Sequence, residues 1–418
     1  MDSAGVNEAQ IIRRERAVLG LVSAAHFFSH FFILALPLLF LAIKSEYGVS
    51  FKELGLITAL YGAGSAIGQY PMGVLADRFG PRWFMICGMI VVSAAYILMG
   101  VSESYWPLVV LALLAGLGDS IFHPTDFIVI TASIRQERLG RAYAFHAFMG
   151  FAGFAAAPLI VDPLRSNWDW HVAAMVCGAL GLVMALLLLL SKNLLIGEAS
   201  KEGDNNEAGA IAPNNRSLGA LAFLRSPPLL MLFLFYIAAA LAGNGIQQFT
   251  PSALPIMYGI DESWASRALL GFGLGIALGV LAGGIVAEKS SKLEIVATVS
   301  YLIAIILVLM VAFMRMPAPV IVLVIFATGF MTGIVMPSRD LLVRSVAPKG
   351  ASGKAFGFVN SGFGYGAIAG PLIFGWIMDS GYIPGLYIGS GVFMAVVIVT
   401  ALAAAHLARP HIAEQAAE

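Results

Sequence analysis

With 418 residues the chain is long enough for two or three soluble domains, but its composition removes that option. It is 59% apolar and only 11% charged, with a mean hydropathy of +0.88, where soluble proteins carry roughly 25% charged residues. A net charge of zero gives no reason to expect a nucleic-acid partner, and Cys87 and Cys177 both lie inside apolar runs, which leaves no disulfide framework and no metal-ligand spacing.

The first sixteen residues are polar and include Arg13, Arg14 and Arg16. The apolar run that follows is too long for a signal-peptide core and has no convincing cleavage site, so it is expected to stay as a first membrane helix. Runs of spanning length then recur at 17–43, 51–76, 83–101, 106–133, 140–162 and 170–190, and again at 229–257, 264–287, 293–314, 318–343, 353–378 and 383–407. This predicts an all-α membrane protein whose twelve transmembrane helices form two pseudo-symmetric six-helix bundles. The expected boundaries are a tail over 1–16, one bundle over 17–190, a linker over 191–228, a second bundle over 229–407 and a tail over 408–418. The linker is small and polar, with a short surface helix expected near Leu218–Leu224. Forty-five glycines suit close helix packing in lipid.

Orientation follows from the basic residues. With the N-terminus inside, eighteen of the 24 Lys and Arg fall on the cytoplasmic side and five outside, while Arg339 lies within a helix. Both termini are therefore expected in the cytoplasm, and the bilayer to be an inner or plasma membrane.

The halves repeat. Pro124 pairs with Pro337, Gly140 with Gly353, Gly153 with Gly366 and Pro158-Leu159-Ile160 with Pro371-Leu372-Ile373, always 213 residues apart. Gly62, Gly64 and Gly68 pair with Gly273, Gly275 and Gly279 at a spacing of 211. Such a gapless register implies two bundles facing each other across a central cavity, with a substrate site near the bilayer midplane.

An ionisable side chain at the centre of a membrane helix costs about 2.5–3.5 kcal/mol on insertion scales, so the few present are informative. Asp119, His123 and Asp126 share one face of the fourth helix at i, i+4 and i+7. The repeat register sets Arg339 of the tenth helix opposite Asp126. The two are expected either to meet as a closing pair across the pseudo-two-fold axis or to form a static ion pair, or else Arg339 holds an anionic substrate group. Asp340 and Arg344 read as a structural pair. His26 and His30 lie one turn apart in the first helix, and His146 in the fifth extends the set. A histidine titrates near pH 6.5 and can carry a coupling proton beside a carboxylate, or it can simply bond backbone carbonyls between helices. In the seventh helix, Asn244, Gln247 and Gln248 precede Pro251 and Pro255, which are expected to break the helix near its outer end. The amides fit substrate ligands or interhelical glue equally well. Asn360 and Tyr365 of the eleventh helix complete the candidates.

Between the second and third helices stands Gly73-Val-Leu-Ala-Asp77-Arg78-Phe-Gly80-Pro-Arg82. This stretch resembles the G-x-L-a-D-r-x-G-r-r hallmark of the major facilitator superfamily, departing from it at Pro81. The resemblance covers residues 17–407. It implies secondary transport by a rocker-switch between two openings, with Asp77 contacting the start of the eleventh helix near Gly353 and basic residues among Arg135, Arg138 and Arg141 to hold the cytoplasmic side shut. Gly73, Arg78, Gly80 and Arg82 belong to the same conformational motif. The triplet Phe122-His123-Pro124 resembles the fourth helix of the superfamily's fosmidomycin-resistance-like branch. In drug exporters an arginine stands four residues before a Gly-x-Gly; here Ala112 precedes Gly116 and Gly118.

The expected function is proton-coupled uptake, by symport, of a small anionic or zwitterionic organic solute. Proton-driven efflux of a drug or metabolite is the alternative, and a non-transporting receptor the remote one. No nucleotide-binding loop and no HExxH-type spacing occur, so neither ATP, a cofactor nor a bound metal is expected, and the chain is not read as an enzyme. The expected partners are substrate, protons and the lipid bilayer, with the protein acting as a monomer.

Overall fold

The computed structural model describes the backbone of residues 3–195, 226–290, 292–347 and 352–417, and the side chains of 8–195, 226–290, 292–347 and 355–408. Most of the expected linker, including the Leu218–Leu224 segment, lies outside these residues. Helix is the only regular structure among the described residues.

The first span is α1 (Ser3–Ala35), a 3-10 turn over Leu36–Leu39 and α2 (Phe40–Tyr47). Helix thus starts well before residue 17, and the break falls at Pro37, which lacks an N–H to continue the ladder. The first half continues with α3 (Phe51–Phe79), α4 (Pro81–Gly100), α5 (Tyr105–Asp119), α6 (Phe122–Ser133), α7 (Gln136–Asn167) and α8 (Trp170–Leu190). α5 and α6 make one span, broken where the ring of Pro124 opposes the carbonyl four residues back at Ser120. The second half comprises α9 (Pro227–Tyr258), α10 (Glu262–Lys289), α11 (Leu293–Phe313), α12 (Ala318–Val346), α13 (Ser352–Asp379) and α14 (Gly385–Ala417). Pro251 and Pro255 do not break α9, which runs on to a left-handed Gly259 at φ 64°. Neighbouring helices and local adjustment can absorb a proline inside a membrane helix.

Eleven helical segments among the described residues are long and apolar enough to cross a membrane; with α3 they make twelve. α3 falls short in hydropathy because Tyr61, Gly62, Gly64, Ser65, Gly68, Gln69 and Tyr70 replace lipid-facing aliphatics along its middle. It is a packing helix. Its start is fixed by a capping box, in which Ser50 N–H donates to Glu53 Oε2 at 2.7 Å and Glu53 N–H to Ser50 Oγ at 3.2 Å. Its end is fixed by Gly80, whose φ of 86° lets α3 pass into α4 through a single residue.

Within the first half α1 packs on α7, α3 on α5 and α4 on α8; within the second α10 packs on α12 and α9 on α13 and α14. The halves meet along two main seams, α3 with α13 and α7 with α10. Small residues make the first seam possible: a Cβ on Gly55 would overlap the Pro371 carbonyl, and one on Gly364 would come within 3.0 Å of Ala66 Cβ.

Every hydrogen bond and ion pair that joins the halves among the described residues lies at one end, opposite the chain termini. There the Asp379 carboxylate accepts from Phe51 N–H at 2.7 Å and Lys52 N–H at 2.8 Å, and Arg165 pairs with Glu262 at 2.5 Å. Phe249 packs against Phe40 and Phe51 at the same end. Toward the terminal end, Ile67, Tyr70, Val74 and Phe79 of α3 and Phe145 and Phe148 of α7 are uncovered.

Candidate functional site: a buried imidazole–carboxylate cluster

α1 carries Ser23, His26 and His30 at i, i+3 and i+7, a polar stripe on an apolar helix. The stripe faces α6 and α7, and there three other imidazoles gather around His26. Ring centroids lie 4.5 Å away for His30, 5.2 Å for His123 and 4.0 Å for His146, the last nearly parallel at 24°. His30 also packs on Phe154 at 4.5 Å. Gly150 is what admits this crowding, since a Cβ there would stand 2.8 Å from His26 Nε2 and 3.2 Å from His30 Cε1.

Two carboxylates sit beside the rings in different conditions. Asp119, at the end of α5, is tied by Ser29 Oγ at 2.5 Å and Ser65 Oγ at 2.9 Å. Asp126, on α6, is fully buried with Oδ2 3.2 Å from His26 Nδ1 and 3.4 Å from His146 Nε2. Neither contact has hydrogen-bond geometry. Both Asp126 oxygens, His26 Nδ1, His146 Nε2 and both ring nitrogens of His30 are therefore buried without a hydrogen-bond partner. Among the described residues no Lys or Arg pairs with either carboxylate. A buried, unpaired carboxylate costs several kcal/mol, so Asp126 calls for a cation or a proton close by.

Arg339 lies elsewhere than expected. Its Nε donates to Asp340 Oδ1 at 2.9 Å, and its guanidinium stacks over Tyr236 at 4.5 Å and Phe363 at 5.1 Å from the ring centroids. Tyr236 Oη donates to the same Asp340 oxygen at 3.0 Å. No ion pair joins Asp126 to Arg339, so the closing pair expected across the axis is not formed, and Asp340 is engaged by Arg339 rather than by Arg344. The reason is reach. A long side chain can fold onto its sequence neighbour and an adjacent aromatic face, which helical phase alone does not reveal.

The amides of α9 separate into different environments. Asn244 Nδ2 donates to Ala240 O at 2.9 Å and lies 3.5 Å from Gly366 O, which is interhelical glue between α9 and α13. Gln248 is buried with Oε1 unpartnered, while Gln247 is half-buried. Asn360 is exposed, and Tyr365 is exposed with its ring 5.8 Å from Phe233. The serines Ser23, Ser29 and Ser65 and the glycine Gly150 were not singled out from the sequence. The i, i+3, i+7 polar stripe on α1 was the available signal for Ser23.

The profile of the Major Facilitator Superfamily matches residues 21–325 and 247–418. The chain belongs to this superfamily. It is 24% identical over 377 residues to the fosmidomycin resistance protein of Escherichia coli (strain K12), covering 88% of this chain and 87% of that one. The membrane sensor protein UhpC of Salmonella typhimurium is 25% identical over 248 residues, covering 57% of this chain and 56% of that protein. Among solved structures, a bacterial homolog of the human lysosomal transporter Spinster, in an inward-facing and unoccupied conformation, superposes with a TM-score of 0.79 at 16% identity, covering 95% of this chain and 97% of that one. The protein is thus a multi-pass membrane transporter of the superfamily, not an enzyme.

In this superfamily member the signature loop is disengaged. Asp77 is exposed and forms no ion pair among the described residues. Arg78 stacks on Phe79 and Arg82 on Trp83, at 5.2 and 5.1 Å. Gly73 lies against Pro124, where a Cβ would come within 3.2 Å. Arg135 is committed to Glu8 at 2.9 Å and Glu15 at 2.9 Å, and Arg138 to Glu15 at 3.3 Å. The hydrogen bonds that Arg135 donates to Glu15 and Glu8 raise its pKa. The expected contacts of Asp77 with these arginines are therefore not made in this conformation.

Proposed function

We propose that the protein is a secondary active transporter that couples protons to the uptake of a small anionic or zwitterionic organic solute by alternating access. The observation that carries this reading is the cluster around Asp126: four imidazoles and two carboxylates, buried within a membrane bundle, with no Lys or Arg among the described residues pairing with either carboxylate. Protons exchanging among His26, His30, His123, Asp119 and Asp126 would supply the missing positive charge. Arg339 contributes the complementary half. Its Nε donates to Asp340, and the outer nitrogens of this preoriented guanidinium would grip a carboxylate or phosphonate-like group. Gln247, Gln248, Asn360 and Tyr365 would supply further solute contacts.

Alternating access is supported by the one-sided closure of the two seams. The basic-residue bias makes the closed end extracellular, with both tails and the linker cytoplasmic and the membrane an inner or plasma membrane. Asp77 would then re-engage when the cytoplasmic side shuts. A second reading, proton-driven efflux, is favoured by the likeness to the fosmidomycin resistance protein over 88% of the chain. Symport is preferred because Ala112 stands where drug exporters carry arginine.

The test is counterflow in proteoliposomes loaded with an anionic solute selected by thermal shift, repeated under pH gradients of either sign. Accumulation driven by protons moving with the solute supports symport, and accumulation against the proton flow supports efflux. Exchange without response to pH rejects proton coupling, and binding without exchange rejects a carrier in favour of a receptor.

A further inference from the structure

The sequence offers no metal-ligand spacing, yet the fold brings one ligand atom each from His26, Asp126 and His146 within 4.8 Å of one another, from three different helices. We propose that these three side chains form a binding site for one divalent first-row transition ion of the zinc, cobalt and nickel class. This goes beyond proton-linked transport, and at His26 and Asp126 the ion and the protons would compete for the same ligand atoms.

Three features point to a metal. The ligand atoms are buried and unsatisfied: Asp126 Oδ1 and Oδ2, His26 Nδ1 and His146 Nε2 all lack hydrogen-bond partners. Two of the three spacings suit a shared ion, because bonds of about 2.0–2.2 Å in a tetrahedral shell put neighbouring ligand atoms about 3.3–3.6 Å apart. Asp126 Oδ2 stands 3.2 Å from His26 Nδ1 and 3.4 Å from His146 Nε2. The outer support is also present, since Ser23 Oγ lies 3.4 Å from the other ring nitrogen of His146 and can fix its tautomer. The His26 and His146 rings stack at 4.0 Å, so ligation turns one of them edge-on toward Asp126.

Two imidazoles and one carboxylate select against calcium and magnesium, which take oxygen ligands, and leave positions open for water or a solute donor. The charge argument runs the same way: a divalent ion supplies the positive charge that the buried carboxylate lacks. His30 and His123 stand behind His26 as alternative donors.

The test uses the full chain, freed of any affinity tag, stripped with chelator and titrated with Co²⁺ in detergent. One equivalent should bind and develop intense visible d–d bands, and Zn²⁺ should abolish them. Asp126→Asn and His146→Asn should each weaken Co²⁺ binding by at least about 100-fold, the upper end of what losing a merely supporting group costs. His171→Asn, in the ion pair with Glu46 away from the cluster, should leave it unchanged. Should the cluster variants fail to fold, X-ray absorption of the wild-type Co²⁺ complex decides, with imidazole scattering in the ligand shell expected. Absence of stoichiometric binding, binding unchanged in both cluster variants, or a shell without imidazole overturns the site.

Discussion

Removing the Asp379 side chain tests how the closed end is held. Asp379 ends α13 but caps the start of α3, accepting two backbone N–H groups across the seam at 2.7 and 2.8 Å. These donors belong to the unsatisfied first turn of a helix, where loss of an acidic cap costs about 0.5–2 kcal/mol. Because Asp379 is exposed, a value near 1 kcal/mol is appropriate, or about a five-fold change in an equilibrium constant. The bonds exist only while the halves touch at this end, so Asp379→Ala should shift the conformational equilibrium about five-fold toward states open there. Asp379→Asn, which still caps, should shift it less. Adding Arg165→Ala, which breaks the 2.5 Å pair with Glu262, should contribute a further ~0.5–1 kcal/mol as a partly exposed ion pair. The two sites lie on separate seams, so their effects should add to about ten-fold or more. Spin-label distances between α2 and α9 at the closed end would report the populations. Distributions identical in wild type and the double variant would refute the idea that these contacts hold the end shut.

Arg339→Ala should abolish binding of an anionic solute in a thermal-shift assay, and Arg339→Lys should not restore it, because an ammonium cannot stack on Tyr236 and Phe363 while presenting a planar fork. Retained affinity in the alanine variant would remove Arg339 from the solute site. Wild-type uptake should quicken as the outside pH falls, and Asp126→Asn should flatten that profile; an unchanged profile in the variant would exclude Asp126 from coupling. Gly116→Ala should lower the melting temperature through a loss of about 1–3 kcal/mol, because its Cβ would overlap the Tyr61 carbonyl on α3. A melting temperature equal to wild type would mean that the α3–α5 contact is looser than described.

How much of this was legible beforehand can be judged residue by residue. The i, i+4, i+7 placement of Asp119, His123 and Asp126 predicts one face of a continuous helix, but the helix breaks between them, so Asp119 ends α5 while His123 and Asp126 belong to α6. It did not foretell that Asp119 would be satisfied by serines of α1 and α3 while Asp126 stayed bare. Apolar runs in the sequence located all twelve spans, α3 among them, although α3 is the one whose hydropathy falls short of the rest. Pro251 and Pro255 promised a break that neighbouring helices prevent.

By itself, then, the sequence determined the number of spans, the two-fold repeat, a tight turn around Gly80 and the polar stripe that carries His26 and His30 on the first helix. Each of these follows from residues close together in the chain, through hydropathy, φ preference or a period of 3.6. Only the tertiary structure decided that His26, Asp126 and His146 converge, that Arg339 rests on Tyr236 and Asp340, and that the halves are joined at one end. Those outcomes depend on how each helix is rotated and slid against helices distant in sequence, and packing of small residues such as Gly55 and Gly150 sets that freedom.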